Sequence, residues 1–209
     1  MKRTYPVSVK LLSAMHINGG TDINNNRITV KAADKAYIPA TLFKGLVREN
    51  FTKLWQLTET DEGSCFGKQT EAAQCGCTVC RMFGKAGFQR SHIFFDHLET
   101  EQTLNYRMRS NVSIDRHTRK AVDQALVFTE IVAPLASDQT GALQPCVFHG
   151  EITVYYPPEF SIEKQKKIEA VFVQAVRMIT NIGLGKSRGL GFTETVIDAP
   201  EGGWLCEKK

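Results

Sequence analysis

The spacing of apolar residues along the chain predicts two helices set among several strands. Apolar side chains recur at helical spacing over two segments, 41–57 and 162–181, which is typical of amphipathic helices. Pro39 precedes the first helix, and Ser161 is placed to cap the start of the second. Alternation of apolar and polar residues predicts strands at residues 4–15, 28–30, 91–98, 125–134, 148–156 and 191–197.

Two segments do not fit this regular pattern and are interpreted as insertions. Residues 61–83 are polar and rich in cysteine, and residues 105–130 form a basic, extended excursion without a helical face. Without them the elements run strand, helix, strand, strand, helix, strand, which is the βαββαβ order of ferredoxin-like, RRM-like α+β folds. RNA-binding sheets share this arrangement. A chain of 209 residues therefore fits a single domain, 1–209, that carries both insertions.

The segment Ile182–Phe192 (IGLGKSRGLGF), called the glycine loop below, joins the second helix to the last strand. Its four glycines surround a Lys-Ser-Arg triplet, and glycines at this density let backbone amides approach a polyanion. The spacing G-x-G-x-x-x-G differs from the dinucleotide fingerprint, and Thr180 stands where a P-loop would begin with glycine. A flexible turn is the alternative. The phosphate-contacting residues we expect are Gly185, Lys186, Ser187 and Arg188.

Basic residues are concentrated in parts of the chain rather than spread evenly. The formal net charge is only +4, yet residues 106–120 hold five Lys or Arg side chains and a single acidic one, Asp115. Such a local excess favours an anionic partner. On the first helix Lys44 and Arg48 share one face, either as a solvated pair or as ligand contacts. The N-terminus lacks a signal-peptide pattern and no apolar run could cross a membrane, so we expect a cytoplasmic protein without a membrane partner.

Four cysteines lie close together in the first insertion, namely Cys65, Cys75, Cys77 and Cys80. Four soft ligands on tight turns suit tetrahedral zinc, so we expect a structural zinc site. The six cysteines of a cytoplasmic chain argue against disulfides. A redox role for the C-T-V-C unit lacks the strand-then-helix context. Four thiolates also leave no open coordination position for the catalytic water of a zinc deaminase.

Four motifs in a fixed order resemble the RAMP-superfamily backbone subunits of type III CRISPR effector complexes, which serve antiviral defence. They are the early loop HINGGTD (His16–Asp22), the proline-led helix IPATLFKGLVR (Ile38–Arg48), the thumb NVSIDRHTRKAVDQALVFTEIVAP (Asn111–Pro134) and the glycine loop. The resemblance covers most of the chain. A zinc insertion after the first helix is also similar to what these proteins contain.

The resemblance implies a subunit that polymerises along a CRISPR guide RNA and displays it to complementary target RNA. Further copies of the chain and other Cas effector subunits would be its protein partners. Guide phosphates would be bound regardless of sequence by glycine amides together with Lys44, Arg48, Lys186 and Arg188. The thumb hairpin, residues 105–130, would press between bases through Ile114, Arg116, His117, Thr118 and Arg119.

Active members of this family cleave target RNA with a loop Asp and a divalent cation such as magnesium, which promote attack of the 2′-hydroxyl on the adjacent phosphate. The corresponding position here falls on Asn25–Asn26, whose amides cannot act as a base or bind a cation as a carboxylate does. Asp22 is therefore the catalytic candidate, with Asp34 as the alternative. Arg27 or His16 could assist a reaction, and the alternative for His16 is a cap of the first strand. Asp22 could equally be a turn-forming residue after Gly-Gly. The sequence leaves open whether the chain is an endoribonuclease.

Two other functions are compatible with the sequence. A relative that processes precursor guide RNA would use a His general base, but the five histidines are scattered and none belongs to a recognisable acid–base pair. A zinc-stabilised RNA-binding module outside CRISPR would bind RNA as a monomer.

Overall fold

The computed structural model describes residues 2–58, 75–85, 89–138 and 140–199. The helices are α1 (Ala40–Thr58), α2 (Thr78–Phe83) and α3 (Ile162–Arg177), and a short 3-10 turn covers Lys186–Arg188. The strands are β1 (Lys2–Leu11), β2 (Asn18–Thr21), β3 (Arg27–Thr29), β4 (Lys31–Ala32), β5 (Lys35–Ala36), β6 (Ile93–Phe95), β7 (Tyr106–Ile114), β8 (Ala121–Val132), β9 (Leu135–Ser137), β10 (Leu143–Pro145), β11 (Val147–Tyr155) and β12 (Thr193–Ile197). This is a mixed α+β structure with several sheets, consistent with a ferredoxin-like fold.

A four-stranded antiparallel sheet forms the centre of the molecule, in the order β12-β1-β11-β6. Along the chain, its strands and the two long helices follow the order β1, α1, β6, β11, α3, β12. Side chains of β1 point alternately to the two faces of this sheet, and only one of the two faces is buried in the core. Tyr5, Val7 and Val9 are buried in the core, whereas Thr4 and Pro6 on the opposite face are exposed.

Apolar residues at helical spacing explain why α1 and α3 form and contact each other. The predicted stripe of the second helix is buried at Ile168, Val171, Phe172, Ala175 and Ile179. The buried apolar residues of α1 are Phe43, Val47, Phe51 and Trp55. The Ser161 hydroxyl accepts a hydrogen bond from the Lys164 amide at 3.2 Å, which confirms the predicted N-cap.

A second four-stranded sheet, in the order β2-β3-β8-β7, carries a long hairpin formed by β7 and β8. β3 joins this sheet through the parallel pair Arg27 and Thr129. The hairpin lies where the sequence predicts a basic, extended excursion. Its turn is held by Asp115, whose carboxylate accepts hydrogen bonds from the amides of His117 and Thr118 at 2.7 and 2.9 Å. Two smaller hairpins are formed by β4 with β5 and by β9 with β10.

Two elements end earlier in the structure than the sequence predicts. β1 ends at Leu11 rather than at residue 15, because the amides of Leu12 and Ser13 donate instead to the carbonyl of Phe192. The second helix ends at Arg177 rather than at residue 181. Both changes lengthen the segments that lie next to the glycine loop.

Part of the cysteine-rich insertion belongs to the core. Thr78–Phe83 forms α2, in which Val79 and Phe83 are buried. The ring of Phe83 lies 5.3 Å from that of Phe51 on α1. The expectation of an insertion outside the core is therefore wrong for α2. The preceding part, residues 59–74 with Cys65, lies outside the described residues.

Candidate nucleic-acid interface

The glycine loop is closed at its base and exposed at its tip. The Ile182 amide donates to the Gly191 carbonyl at 2.8 Å, which joins the two ends of the loop. Gly185 and Gly189 both have left-handed backbone with φ of 80°, a region that glycine enters without steric cost. They flank the exposed 3-10 turn Lys186–Arg188. The turn therefore presents the predicted Lys-Ser-Arg triplet to solvent.

Residues 12–17, which follow β1, form the base on which the glycine loop rests. The Leu184 amide donates to the His16 carbonyl at 2.8 Å, and the Gly191 amide donates to the Ala14 carbonyl at 2.8 Å. This contact is too close for a side chain, since a Cβ on Gly183 would lie 2.3 Å from the His16 carbonyl oxygen. Glycine at this position thus permits the docking of the loop and leaves its cationic side chains outside.

The loop tip contacts the root of the long hairpin and acts electrostatically on α1. The Arg109 guanidinium of β7 donates to the Arg188 carbonyl at 3.2 Å. On α1, a hydrogen bond from Lys53 lowers the pKa of Glu49, and the charge of Lys186 lowers it further. The loop tip is therefore fixed to the hairpin root with its cations exposed, an arrangement that suits a chain of phosphates.

The structure gives Lys44 and Arg48 different surroundings. Burial lowers the pKa of Lys44, and the charge of Arg48 adds to this effect. The Arg48 guanidinium contacts the Cys80 sulfur at 3.9 Å, so it points toward α2. Among the described residues, no hydrogen bond joins either side chain to the glycine loop. Their predicted contact with RNA stays a prediction.

The tip of the long hairpin is exposed and lies apart from the glycine loop. Ile114 is 61% exposed. The other predicted contacts at the tip are also exposed, at Arg116, His117, Thr118 and Arg119. One face of the hairpin exposes the apolar side chains of Met108, Val112, Leu126 and Phe128. Ile114 lies five positions beyond Arg109 along an extended strand, a distance of about 17 Å. The structure thus does not bring the tip and the loop together, and only a long ligand could contact both.

The Asn-rich loop, residues 21–27, is held by Asp22. One carboxylate oxygen accepts from the amides of Asn24 and Asn26 at 2.9 and 2.8 Å, and the other accepts from the Asn26 side chain at 2.9 Å. These bonds, chiefly those from Asn26, lower the pKa of Asp22, so its carboxylate stays ionised. The geometry shows the turn-forming role. The catalytic role of Asp22 is a prediction that these contacts do not test.

A family model of the RAMP superfamily matches residues 8–194. The chain belongs to the RAMP superfamily. The match runs from β1 into β12, so it includes the Asn-rich loop, α1, the long hairpin and the glycine loop. Membership suggests a CRISPR-associated subunit that binds RNA. A search of the curated proteins gives no significant match. In the described parts of this RAMP protein, no helix is long and apolar enough to span a membrane.

Beneath the root of the long hairpin, this RAMP protein has a buried polar network that the sequence patterns do not predict. His16 is 1% exposed, and its Nδ1 lies 2.8 Å from the Glu130 carbonyl and 3.2 Å from the Thr29 hydroxyl. Burial lowers the pKa of His16, which favours the neutral imidazole. The Glu130 carboxylate pairs with Lys31 at 2.7 Å and accepts from the Thr29 amide at 3.0 Å. The sequence feature that could have indicated this network is Glu130, an acidic residue inside the mainly apolar strand ALVFTEIVAP.

Tyr106, at the start of β7, fixes the β4–β5 hairpin to the same root. Its hydroxyl accepts from the Ala36 amide at 2.7 Å and donates to the Asp34 carbonyl at 3.2 Å. The Lys31 ammonium lies 4.2 Å from the centre of its ring, a cation–π contact. Asp34, the alternative catalytic candidate, therefore sits in a turn that the hairpin root holds through the backbone.

The three described cysteines of the predicted zinc set lie together at the start of α2. The sulfur atoms of Cys75, Cys77 and Cys80 are all within 4.8 Å of one another, so this cysteine cluster could hold a metal such as zinc. The Cys77 sulfur caps α2 by accepting from the Cys80 amide at 3.4 Å. Burial raises the pKa of the Cys80 thiol and Cys77 raises it further, while the Arg48 charge acts in the opposite direction.

The state of the cysteines bears on whether all four predicted ligands can hold zinc. Cys65, the fourth predicted ligand, lies outside the described residues. Cys75 is disulfide-bonded in this structure, contrary to the expectation that the chain has no disulfides. Zinc binds thiolates, so a zinc site requires Cys75 in its reduced form. Cys146 is a buried thiol elsewhere in the core, and burial raises its pKa to about 12.

Proposed function

We propose that this RAMP protein is a guide-RNA-binding backbone subunit of a type III CRISPR effector complex. The observation that carries the proposal is the glycine loop, whose exposed cationic tip is joined to the root of the long hairpin through Arg109. A phosphate chain crossing this surface would meet Lys186 and Arg188 first. Phosphate contacts read no sequence, so the guide would supply the specificity. Lys44 and Arg48 would extend the same surface along α1.

In this proposal the long hairpin acts as the thumb. Its exposed apolar face and tip would enter between bases of the guide–target duplex, with Ile114 as the leading apolar side chain. Further copies of the chain would add along the guide, and other Cas subunits would complete the complex in the cytoplasm. Target RNA would be bound by base pairing to the guide.

The proposed structural zinc would be held by Cys65, Cys75, Cys77 and Cys80 when all four are thiolates. Such a site would fix the start of α2, which packs on α1 through Phe83 and Phe51. The zinc would therefore stabilise the helix that carries the predicted RNA contacts Lys44 and Arg48, without taking part in a reaction.

Cleavage of target RNA through Asp22 and a divalent cation stays a prediction from the resemblance. A carboxylate with a lowered pKa is a weak proton acceptor, so Asp22 would act as a cation ligand rather than as a base. Three of its lone pairs already accept hydrogen bonds within the Asn-rich loop, which leaves limited capacity for a cation such as magnesium.

The test of RNA binding compares two double variants of equal charge. We expect Lys186→Gln with Arg188→Gln to weaken binding of single-stranded guide RNA and to reduce the salt slope of log affinity by about 1.4, because two phosphate contacts are lost. Lys166→Gln with Lys167→Gln removes two exposed cations from the start of α3 and serves as the control. Fluorescence anisotropy across a salt series measures both. Equal losses of RNA affinity in the two double variants would mean that Lys186 and Arg188 contribute only through the overall positive charge of the protein.

The same preparation separates the alternative functions. Cleavage of a repeat hairpin RNA by the isolated chain would favour precursor guide-RNA processing. Binding of a single chain to RNA of any length would favour an RNA-binding module outside CRISPR. A backbone subunit should instead form complexes whose mass rises stepwise with RNA length, which mass photometry resolves.

A further inference from the structure

Arg109 differs from its neighbours on β7 in exposure and in its partner. Arg107, Met108 and Ser110 are exposed, whereas Arg109 is partly buried. Its guanidinium donates to the Arg188 carbonyl at 3.2 Å, between residues 79 positions apart in the sequence. Arg107 lies on the same face of the strand, and among the described residues it makes no such bond. Arg109 is therefore the side chain that connects the hairpin to the glycine loop.

The backbone of β7 is anchored in the second sheet at Arg109. Arg109 is paired with Thr129 of β8, which is buried and is also paired with Arg27 of β3. The next residue of β8, Glu130, is tied to Lys31 by an ion pair at 2.7 Å. The root of the hairpin is thus an anchored part of the second sheet, unlike the exposed tip. A side chain that starts here can hold another element in place.

The tip of the glycine loop is bonded mainly to itself. The amides of Arg188 and Leu190 both donate to the Gly185 carbonyl, at 2.8 and 3.2 Å. An added Cβ on Gly189 would have nothing within 4 Å, so this side of the tip stands in open space. These bonds shape the turn but do not orient it toward the hairpin. The bond from Arg109 supplies that orientation.

We propose that Arg109 is a positioning residue of the RNA-binding surface, which holds the tip of the glycine loop against the hairpin root so that Lys186 and Arg188 face the RNA phosphates. This role rests on the proposed RNA-binding function. A guanidinium has five N–H donors, so the bond to one carbonyl leaves others for a phosphate. Loss of Arg109 therefore removes a fixed loop orientation as well as a charge.

Arg109→Ala and Arg107→Ala form a matched pair, because each removes one arginine charge from the same face of β7. The probe is fluorescein-labelled, single-stranded uridine RNA, titrated with the full-length chain across a salt series. We expect Arg109→Ala to weaken binding by about tenfold or more and Arg107→Ala by no more than about fivefold. Arg109→Lys keeps the charge but not the fork, so it should restore the salt slope without restoring the affinity.

Combination with Arg188→Ala tests the positioning directly. If Arg109 orients the loop, its loss matters less once the Arg188 side chain is gone. The losses for Arg109 and Arg188 should therefore be non-additive, while those for Arg107 and Arg188 should add. Hydrogen exchange of the RNA-free chain gives a second readout. Amides of residues 184–190 should exchange faster in Arg109→Ala and Arg109→Lys than in the wild type, and at the wild-type rate in Arg107→Ala.

The possible outcomes distinguish the positioning role of Arg109 from the proposed RNA-binding function on which it rests. Additive losses with unchanged exchange of the loop amides would overturn the positioning role and leave RNA binding in place. Full recovery of affinity in Arg109→Lys would reduce Arg109 to a source of charge and also overturn the role. A wild-type chain that binds no RNA would overturn the proposed function and this role with it.

Discussion

Gly189 and Gly191 have nearly the same backbone, with φ of 80° and 76°, but very different surroundings. A Cβ on Gly191 would lie 2.0 Å from the Ile182 carbonyl oxygen, whereas a Cβ on Gly189 would have no neighbour within 4 Å. Because the two residues belong to the same loop, a comparison of alanine substitutions at both positions distinguishes the conformational cost of alanine from its steric cost.

We expect Gly189→Ala to lower the free energy of unfolding by about 1–2 kcal/mol, the cost of placing an L-residue in left-handed backbone. Gly191→Ala should lower it by about 1–3 kcal/mol more, because its methyl group strikes backbone that closes the loop. Urea unfolding of both variants measures the difference. Equal losses would show that the base of the glycine loop moves freely, which the close contacts described above do not allow.

His16 should make the stability of the fold depend on pH. Because burial lowers its pKa below the unfolded value of 6.5, the unfolded chain binds the proton first as the pH falls. Stability is therefore unaffected by His16 above pH 6.5 and decreases below it, by at most about 1.4 kcal/mol per pH unit. We expect this decrease between pH 6.5 and 5 in the wild type and not in His16→Gln, as measured by chemical unfolding.

Three aspartates with lowered pKa values affect stability only below this window. The carboxylates of Asp22, Asp115 and Asp138 have pKa values lowered from 3.8, so their contribution is complete above that pH and is lost only at lower pH. A wild-type slope that persists in His16→Gln would assign the pH dependence to a different group and contradict the prediction.

At the scale of elements, the sequence predicts what local patterns encode. The stripe of α3 and the Ser161 cap are visible because each depends on residues within a few positions of one another. The long hairpin has only a weak signal, since both of its faces are largely exposed and polar residues separate Met108 from Val112 on β7. α2 is missed for the opposite reason. Its burial depends on a distant partner, Phe51, that no local pattern reveals.

The candidate site divides in the same way. Glycine spacing and charge predict the exposed Lys-Ser-Arg turn of the glycine loop, because its conformation is set within ten residues. The contact of Arg109 with Arg188 joins positions 79 apart, and the contact of Arg48 with Cys80 joins positions 32 apart. Such pairs follow only from the fold, so the sequence does not reveal that the Arg48 guanidinium lies beside Cys80.

The cysteine cluster predicts one zinc ion per chain when the protein is purified under reducing conditions. We expect Cys80→Ser to lose the metal, because it removes one of the thiolates that tetrahedral zinc requires. Cys146→Ala is the control, since Cys146 is a buried thiol outside the cluster. Elemental analysis gives the stoichiometry, and a chelator should lower the melting temperature of the wild type and of Cys146→Ala. Zinc that remains in Cys80→Ser, or a wild type without zinc, would contradict the prediction.

At the scale of the whole molecule, cleavage of target RNA can be tested only in the assembled guide complex. If this RAMP protein cleaves target RNA through Asp22, magnesium should give evenly spaced cuts in end-labelled complementary RNA, and Asp22→Asn should lose all of them. The asparagine oxygen can still accept the amides of Asn24 and Asn26, so the variant removes the charge while keeping the turn. Asp34→Ala is the companion variant and should cut as the wild type does.

Each alternative result has a definite meaning. Loss of the cuts only in Asp34→Ala would move the catalytic carboxylate to the β4–β5 turn. Tight binding of target RNA without cuts in any variant would make this RAMP protein a scaffold, with Asp22 as the residue that shapes the Asn-rich loop.

The pairing of β1 with β12 sets an order of events during synthesis. Val7–Leu11 lies against Thr193–Ile197, and amides of the glycine loop donate to the carbonyls of Ala14 and His16. On the ribosome, the early strand leaves the exit tunnel long before its partner exists, while α1 and the long hairpin can already fold. The loop closes only after residues 182–197 have emerged. A nascent chain would therefore lack the closed glycine loop, and with it the proposed phosphate contacts, until β12 has been made.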